Sequence, residues 1–152
     1  MDLRTRIATA LKTAMKNKEA ERLATLRLIN AAIKDRDIAL RGEGREDGVT
    51  DAEVLAILGR MIKQRHESAR AYEEAGRLDL AESERAEMAV IEDFLPRQLT
   101  EQEIHDAIEA KIEGLGAESI RDMGRVMAAL KADYAGRMDF GTVGPMVKDR
   151  LA

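Results

Sequence analysis

The side chains that most often carry out chemistry in proteins are scarce in this sequence. No cysteine occurs among the 152 residues, which excludes a thiolate metal site, an iron–sulfur cluster and a cysteine nucleophile. The two histidines, His66 and His105, are far apart and fit no zinc-binding spacing such as H-E-x-x-H. Asp106 follows His105, but one neighbouring pair cannot supply all the ligands that a metal site needs. We therefore predict no bound metal ion.

Sequence motifs for nucleotide-dependent or acyl-transfer chemistry are missing as well. The chain has no G-x-x-x-x-G-K-S/T loop, no G-x-S-x-G elbow and no G-x-G-x-x-G after a strand. Its 29 acidic residues are interspersed with 25 basic ones, a pattern typical of solvated helix surfaces rather than of catalytic carboxylates. We expect neither a cofactor nor a catalytic residue.

One helical segment, residues 119–134, contains a glycine at a costly position. Gly124 should lower the stability of the helix by about 1 kcal/mol relative to alanine, so packing or function must favour the missing side chain. On a helix with about 100° per residue, the face opposite the apolar one carries small residues edged by cations. We call this set the small basic strip: Arg121, Gly124, Arg125, Ala128, Lys131 and Ala132.

The small basic strip suits two kinds of partner. Its small residues allow a partner to approach the helix backbone closely, and its guanidinium and ammonium groups can contact phosphates. Small residues four apart equally permit the tight crossing of another helix. The spacing therefore predicts a contact surface without naming its partner.

Charge is distributed unevenly along the chain. Residues 1–41 carry a net charge of +5, residues 42–99 carry −6 and residues 100–152 carry −3, which gives −4 overall. The acidic total argues against a generic nucleic-acid binder, and we expect no DNA partner. The basic end can face an acidic partner, although lysine-rich helices are often only solvated surfaces. It would form a second contact patch if the fold brings it near the strip. We call its candidate contacts the N-terminal basic patch: Lys12, Lys16, Lys18 and Arg22.

The elements that must position these residues are helices, since no alternating pattern indicates a strand. Four helical segments precede Phe94-Leu95-Pro96, where the proline disfavours helix at the residue before it. Thr100 and Glu103 then form a capping box, and three helical segments follow. We predict an all-α protein with a larger N-terminal subdomain of about four helices, residues 1–97, and a small C-terminal three-helix subdomain, residues 98–152.

Pro145 bears on where the last helix begins. Proline is tolerated in the first turn of a helix, where its missing amide would have no partner in any case. Pro145 would lie in such a first turn if the last helix is capped near Thr142.

No segment of the sequence predicts export or membrane insertion. The N-terminus lacks a long apolar core and a small-residue cleavage site, and no uncharged run approaches the roughly 20 residues of a membrane span. The lack of cysteine suits a reducing compartment. We expect a soluble, cytoplasmic protein without a membrane partner.

Two long stretches closely resemble the YqeY family. They are IKQRHESARAYEEAGRLDLAESERAEMAVIEDFLPRQLTEQEI, residues 62–104, and DMGRVMAALKADYAGRMDFGTVGPMVKDRL, residues 122–151. With TLRLINAAIKDRDI near the N-terminus, the resemblance covers nearly the whole chain. Its most specific features are Tyr72, the Phe94-Leu95-Pro96 hinge, and G-x-V-M followed by G-R-x-D. Pro145 departs from the unbroken last helix that the family usually has.

The resemblance implies an all-helical protein related to the tail of GatB, the B subunit of the glutamine-dependent tRNA amidotransferase. In that enzyme the tail helps to hold the tRNA, and the chemistry lies in other domains and another subunit. The resemblance thus implies a non-catalytic, tRNA-handling role, associated with a carbon–nitrogen ligase that uses glutamine as its nitrogen donor. The residues that match the shared tail motif are Gly124, Val126, Met127, Gly136, Arg137 and Asp139.

Three hypotheses about function remain. In the leading one, an accessory protein binds tRNA or another folded RNA without catalysis, and its candidate contacts are the N-terminal basic patch, Arg121, Gly124, Arg125, Lys131 and Arg137. In the second, a helical adaptor docks through the same strip on a protein of the translation machinery and binds no RNA. The third and least favoured is a stand-alone amidotransferase-like enzyme, for which the sequence offers no recognisable nucleophile constellation.

Overall fold

All regular structure in the computed structural model, which describes residues 2–152, is helical. In that range it contains seven α-helices, one short 3-10 helix and no strand, which confirms the all-α prediction. The contacts divide the chain into two compact units, Met1–Leu95 and Pro96–Ala152. We call them the N-terminal unit and the C-terminal unit.

Four helices form the N-terminal unit: α1 (Leu3–Lys16), α2 (Ala20–Gly42), α3 (Asp51–Glu74) and α4 (Leu78–Glu92). Asp2 and Thr50 cap α1 and α3, because their side-chain oxygens accept hydrogen bonds from amides of the first turn. Apolar residues spaced three or four apart bring one face of each helix into a common core. Its fully buried side chains include Ile7, Leu26, Ile29, Ile33, Leu40, Leu58 and Ile91.

A buried carboxylate, that of Asp37 on α2, joins three parts of the N-terminal unit. Arg4 of α1 donates two hydrogen bonds to it, at 3.0 and 2.8 Å, and the backbone amide of Val49 donates another at 2.9 Å. Gly48 has a φ of +79°, and a Cβ atom there would lie 3.1 Å from Asp37 Oδ1 and 3.2 Å from Arg4 Nη1. Only glycine therefore lets the loop between α2 and α3 close over this ion pair without strain.

Three α-helices and the 3-10 helix form the C-terminal unit: α5 (Glu101–Leu115), the 3-10 helix (Ile120–Asp122), α6 (Met123–Tyr134) and α7 (Phe140–Leu151). Thr100 and Glu103 make the capping box that the sequence predicts at the start of α5. Ser119 and Asp122 make a second capping box at the 3-10 helix. The core of this unit includes Ala107, Ile108, Ile112, Val126, Leu130, Val143 and Val147.

The start of α7 differs from the sequence-based expectation. Asp139, rather than Thr142, is the N-cap, because its carboxylate accepts hydrogen bonds from the Gly141 amide and the Thr142 hydroxyl, both at 3.0 Å. Pro145 therefore lies inside the helix, not in its first turn. The carbonyl that loses its donor to proline belongs to Gly141, which is exposed, so water can bond to it.

We expect Asp37→Ala to lower the free energy of unfolding by about 2–3 kcal/mol, because the Arg4 guanidinium and the Val49 amide both lose their acceptor. Chemical denaturation measures the loss. Asp35→Ala, at an exposed position of the same helix, is the matched control and should change stability little. Equal losses in the two variants would contradict this assignment.

The contribution of Asp37 should also depend on pH. Burial raises the pKa of Asp37, but the hydrogen bonds from Arg4 and Val49 outweigh it and hold the pKa below its ordinary value. Since folding lowers this pKa, the stabilisation is present at neutral pH and is lost as the pH falls below about 4. The stability difference between the wild type and Asp37→Ala should shrink over that range.

Glu103 makes the capping box of α5 sensitive to acid. Hydrogen bonds from Arg97, at 2.8 and 2.9 Å, and from the Thr100 amide lower the pKa of Glu103 from 4.5 to about 2. Because folding lowers the pKa, this stabilisation is complete above the ordinary value and is lost as the pH falls towards 2. An NMR titration should give a midpoint near 2, and Arg97→Ala should move it back towards 4.5. A wild-type midpoint at the ordinary value would show that the contact with Arg97 does not persist in solution.

Candidate functional site

Helix α6 separates an apolar face from an exposed one. Val126 and Leu130 are fully buried, and Met123, Met127 and Tyr134 are partly buried beside them. All six residues of the small basic strip are exposed. The strip is thus a free surface of the C-terminal unit, as the helical periodicity indicates.

Nothing in the described part of the chain explains why residue 124 is glycine. Gly124 lies in the first turn of α6, directly after the 3-10 helix. Apart from its chain neighbours and the backbone of its own helix, no heavy atom of residues 2–152 lies within 4 Å of where its Cβ would be. Alanine would fit without strain, so the missing side chain leaves open space on the exposed surface.

The cations of the strip differ in the contacts that they make within the protein. Arg121 and Lys131 are exposed, and within residues 2–152 their side chains form no ion pair. Arg125 donates hydrogen bonds to the Asp122 carboxylate at 3.1 Å and to the Leu115 carbonyl at 3.4 Å. An anionic ligand would have to compete with Asp122 for Arg125, whereas Arg121 and Lys131 are available to it.

Arg137 is held by contacts inside the C-terminal unit. Its Nε donates a hydrogen bond to the Arg97 carbonyl at 3.1 Å, and its guanidinium carbon lies 5.9 Å from the centre of the Tyr134 ring. Its own carbonyl accepts a hydrogen bond from the Leu99 amide at 2.9 Å. The turn between α6 and α7 is therefore hydrogen-bonded to the segment that leads into α5. These internal contacts account for Arg137 without a ligand.

The G-R-x-D segment of the tail motif, which begins at Gly136, has structural roles that the sequence analysis does not assign. Gly136 has a φ of +76°, a conformation that favours glycine, and its carbonyl accepts a hydrogen bond from the Gln98 side chain at 2.6 Å. Met138 is buried in the core, and Asp139 caps α7. Glycine after a helix and aspartate before the next one are signals from which these roles could have been found.

The N-terminal basic patch surrounds the turn between α1 and α2. Lys12, Lys16 and Lys18 are exposed and form no ion pair within residues 2–152. Arg22 instead pairs with Asp93 at 2.7 Å. The patch belongs to the N-terminal unit and the small basic strip to the C-terminal unit.

Two exposed apolar side chains, which the sequence pattern does not single out, lie beside the strip. Leu115 ends α5 and is 36% exposed, and Ile120 begins the 3-10 helix and is 46% exposed. The hydrogen bond from Arg125 to the Leu115 carbonyl brings Leu115 to the strip, and Ile120 directly precedes Arg121. The surface around the strip therefore combines cations with apolar groups.

Neither histidine lies in a metal-binding cluster. His66 and His105 are both exposed, and residues 2–152 contain no group of three or more His, Asp or Glu side chains that could hold a metal ion. In the same range no helix is both long and apolar enough to cross a membrane.

Comparison with known families identifies the chain. Residues 4–151 match the family described as Yqey-like protein. The chain belongs to the YqeY family. The match includes both the small basic strip and the N-terminal basic patch of this YqeY-family protein.

Three relatives carry the name "Altered inheritance of mitochondria protein 41, mitochondrial". The relative from Pyrenophora tritici-repentis is 29% identical over 134 residues, which cover 87% of this chain and 71% of that protein. For Meyerozyma guilliermondii the identity is 31% over 139 residues, with coverage of 90% and 64%. For Clavispora lusitaniae it is 37% over 87 residues, with coverage of 56% and 46%. The chain thus spans less than two thirds of the length of the last two. These names place the relatives in mitochondria, and a cytoplasmic location for this chain stays a prediction.

Two glycines should respond to alanine in opposite ways. Gly124→Ala should raise the free energy of unfolding by about 0.5–1 kcal/mol, because the position is helical and the space is open. Gly136→Ala should lower it by about 1–2 kcal/mol, because an alanine with φ of +76° is strained. Thermal and chemical denaturation measure both. A destabilised Gly124→Ala would show that internal packing does require this glycine.

Proposed function

We propose that this YqeY-family protein is a non-catalytic module that binds folded RNA, with tRNA as the preferred ligand, through the small basic strip. The observation that carries the proposal is the open space over Gly124, flanked by the exposed and unpaired Arg121 and Lys131. A phosphate can approach the helix backbone there while it meets positive charge. The kinship with the amidotransferase tail that the sequence resemblance implies favours tRNA.

Recognition would use the phosphate backbone and the shape of the RNA rather than its bases. The chain has 2 Tyr, 2 Phe and no Trp, too few for a platform on which unpaired bases stack. The rings of Phe94 and Tyr134 already lie beneath arginines of the protein itself. A folded RNA offers an ordered array of phosphates instead.

The test is a titration of the purified chain with folded tRNA at several salt concentrations. Arg121→Glu combined with Lys131→Glu should weaken binding about tenfold and reduce the slope of affinity against salt by about 2, one unit for each lost phosphate contact. Arg60→Glu combined with Arg70→Glu changes the net charge equally at exposed positions of α3 and is the matched control. An equal effect in both double variants would mean that only overall charge matters, and the strip would not be the site.

Gly124→Ala separates binding from folding. This variant should fold at least as stably as the wild type, yet bind tRNA more weakly, because the added methyl group keeps the phosphate away from the backbone. Unchanged affinity would remove the reason for placing the RNA over this residue.

A second candidate function is favoured by the exposed Leu115 and Ile120 beside the strip. In that case the strip docks on a protein of the translation machinery, and burial of apolar surface drives association. Leu115→Ser with Ile120→Ser, or Ala128→Leu, should then abolish the protein complex, and the wild type should not bind tRNA. Moderate salt should have little effect on such a complex. An enzyme acting alone ranks last, and release of ammonia from glutamine by the purified chain would reverse that ranking.

A further inference from the structure

A face of α2 that points to solvent carries a regular apolar seam. Leu28 is 47% exposed and Ile38 is 65% exposed, although both are large aliphatic residues within a long helix. The exposed residues along this face follow the alternating four and three spacing of a coiled-coil seam. They are Ala24, Leu28, Ala31, Asp35 and Ile38, and we call them the α2 seam.

A row of cations runs along one edge of the α2 seam. Arg27, Lys34 and Arg41 are seven residues apart, all exposed, and within residues 2–152 none of them forms an ion pair. Seven residues are two turns of helix, so successive cations lie about 10.5 Å apart on one side. None of the three belongs to the small basic strip or to the N-terminal basic patch. The proposed RNA site therefore leaves this row unexplained.

We infer that the exposed face of α2 is a docking surface for an acidic amphipathic helix of a protein partner. The apolar residues of that helix pack into the α2 seam, and acidic residues spaced seven apart on one edge pair with Arg27, Lys34 and Arg41. Charge complementarity steers the encounter and sets the register, and burial of Leu28 and Ile38 supplies the apolar contact.

Asp35 distinguishes this partner from RNA and from a membrane. Its exposed carboxylate lies in the middle of the seam, between Ala31 and Ile38. Phosphates of RNA would be repelled by it and would gain nothing from the exposed aliphatic groups. Insertion of the face into a lipid surface would bury the same carboxylate at a high cost. A helix can place one basic residue opposite Asp35 and acidic residues at the edge.

A second copy of this chain is a poor occupant of the seam. A two-fold symmetric pair uses the same surface patch on both subunits. When two such helices pack antiparallel, the same edge of each faces the other, so the basic row would lie against itself. This repulsion disfavours an antiparallel pair of copies and favours a partner of opposite charge.

The test uses the whole chain and synthetic helical peptides. The first peptide spans three or four heptads with leucine along its seam, one lysine at the seam position opposite Asp35, and glutamate on the edge that faces Arg27, Lys34 and Arg41. The second peptide has lysine in place of every glutamate. Fluorescence anisotropy should show binding of the glutamate peptide that weakens with salt, and no binding of the lysine peptide.

Two sets of variants locate the site. Arg27→Glu with Lys34→Glu should weaken binding of the glutamate peptide about tenfold or more and create binding of the lysine peptide. Arg70→Glu with Lys148→Glu, both exposed and unpaired in residues 2–152, changes net charge equally and should do neither. Leu28→Ser with Ile38→Ser should also abolish binding, whereas Leu78→Ser, at a leucine that is 68% exposed on α4, should not. All these side chains are exposed, so circular dichroism should show that the variants stay folded.

Several results would overturn the inference. These are equal binding of the two peptides, no binding of either, or insensitivity to the α2 variants. Loss of tRNA affinity in Arg27→Glu with Lys34→Glu, without any effect of Leu28→Ser with Ile38→Ser, would assign the row to RNA instead. Binding to anionic but not neutral phospholipid vesicles would assign it to a membrane. Self-association that the serine variants abolish would assign it to a second copy. The proposed RNA site is tested independently, because the variants that disrupt it change only Arg121, Gly124 and Lys131.

Discussion

The carboxylate of Asp37 is the point at which the N-terminal unit is joined, since it holds α1, α2 and the loop before α3 together. Burial of a charged group is unfavourable unless its hydrogen-bonding capacity is used, and here two donors of Arg4 and the amide of Val49 use it. The same geometry demands glycine at residue 48, where a side chain would meet both charged groups. The buried Asp37 thus explains why arginine occurs at residue 4 and glycine at residue 48. Local sequence pattern relates neither residue to Asp37.

In the C-terminal unit, the residues of one turn likewise have several structural roles. In the turn between α6 and α7, Gly136 follows the end of one helix and Asp139 caps the start of the next. Arg137 donates a hydrogen bond to the segment that leads into α5. The sequence resemblance implies that these residues belong to a tail motif, yet each has a role within the fold. Their match to the motif therefore does not require that they contact a ligand.

Residues that the fold does not use point most directly to partners. Gly124 has open space where a side chain would fit, and Arg121 and Lys131 have no ion pair in the described part of the chain. The same reasoning applies to α2, where Leu28 and Ile38 are exposed beside three unpaired cations. Both places therefore contain groups that do not stabilise the isolated chain: a helical glycine, exposed aliphatic side chains and cations without an ion pair. A partner that contacts these groups would account for them.

By itself, the sequence determined the helical class, the capping box at Thr100 and the two faces of α6, because each depends on residues only a few positions apart. It did not locate the start of α7, because the cap considered from the sequence was Thr142, whereas Asp139 caps the helix three residues earlier. Only the tertiary structure decided which cations are free. Arg22 meets Asp93, 71 residues away, and Arg137 meets the carbonyl of Arg97, 40 residues away. Such pairings form only when the packing of the helices brings residues that are distant in sequence together. Local spacing in the sequence does not predict which residues meet.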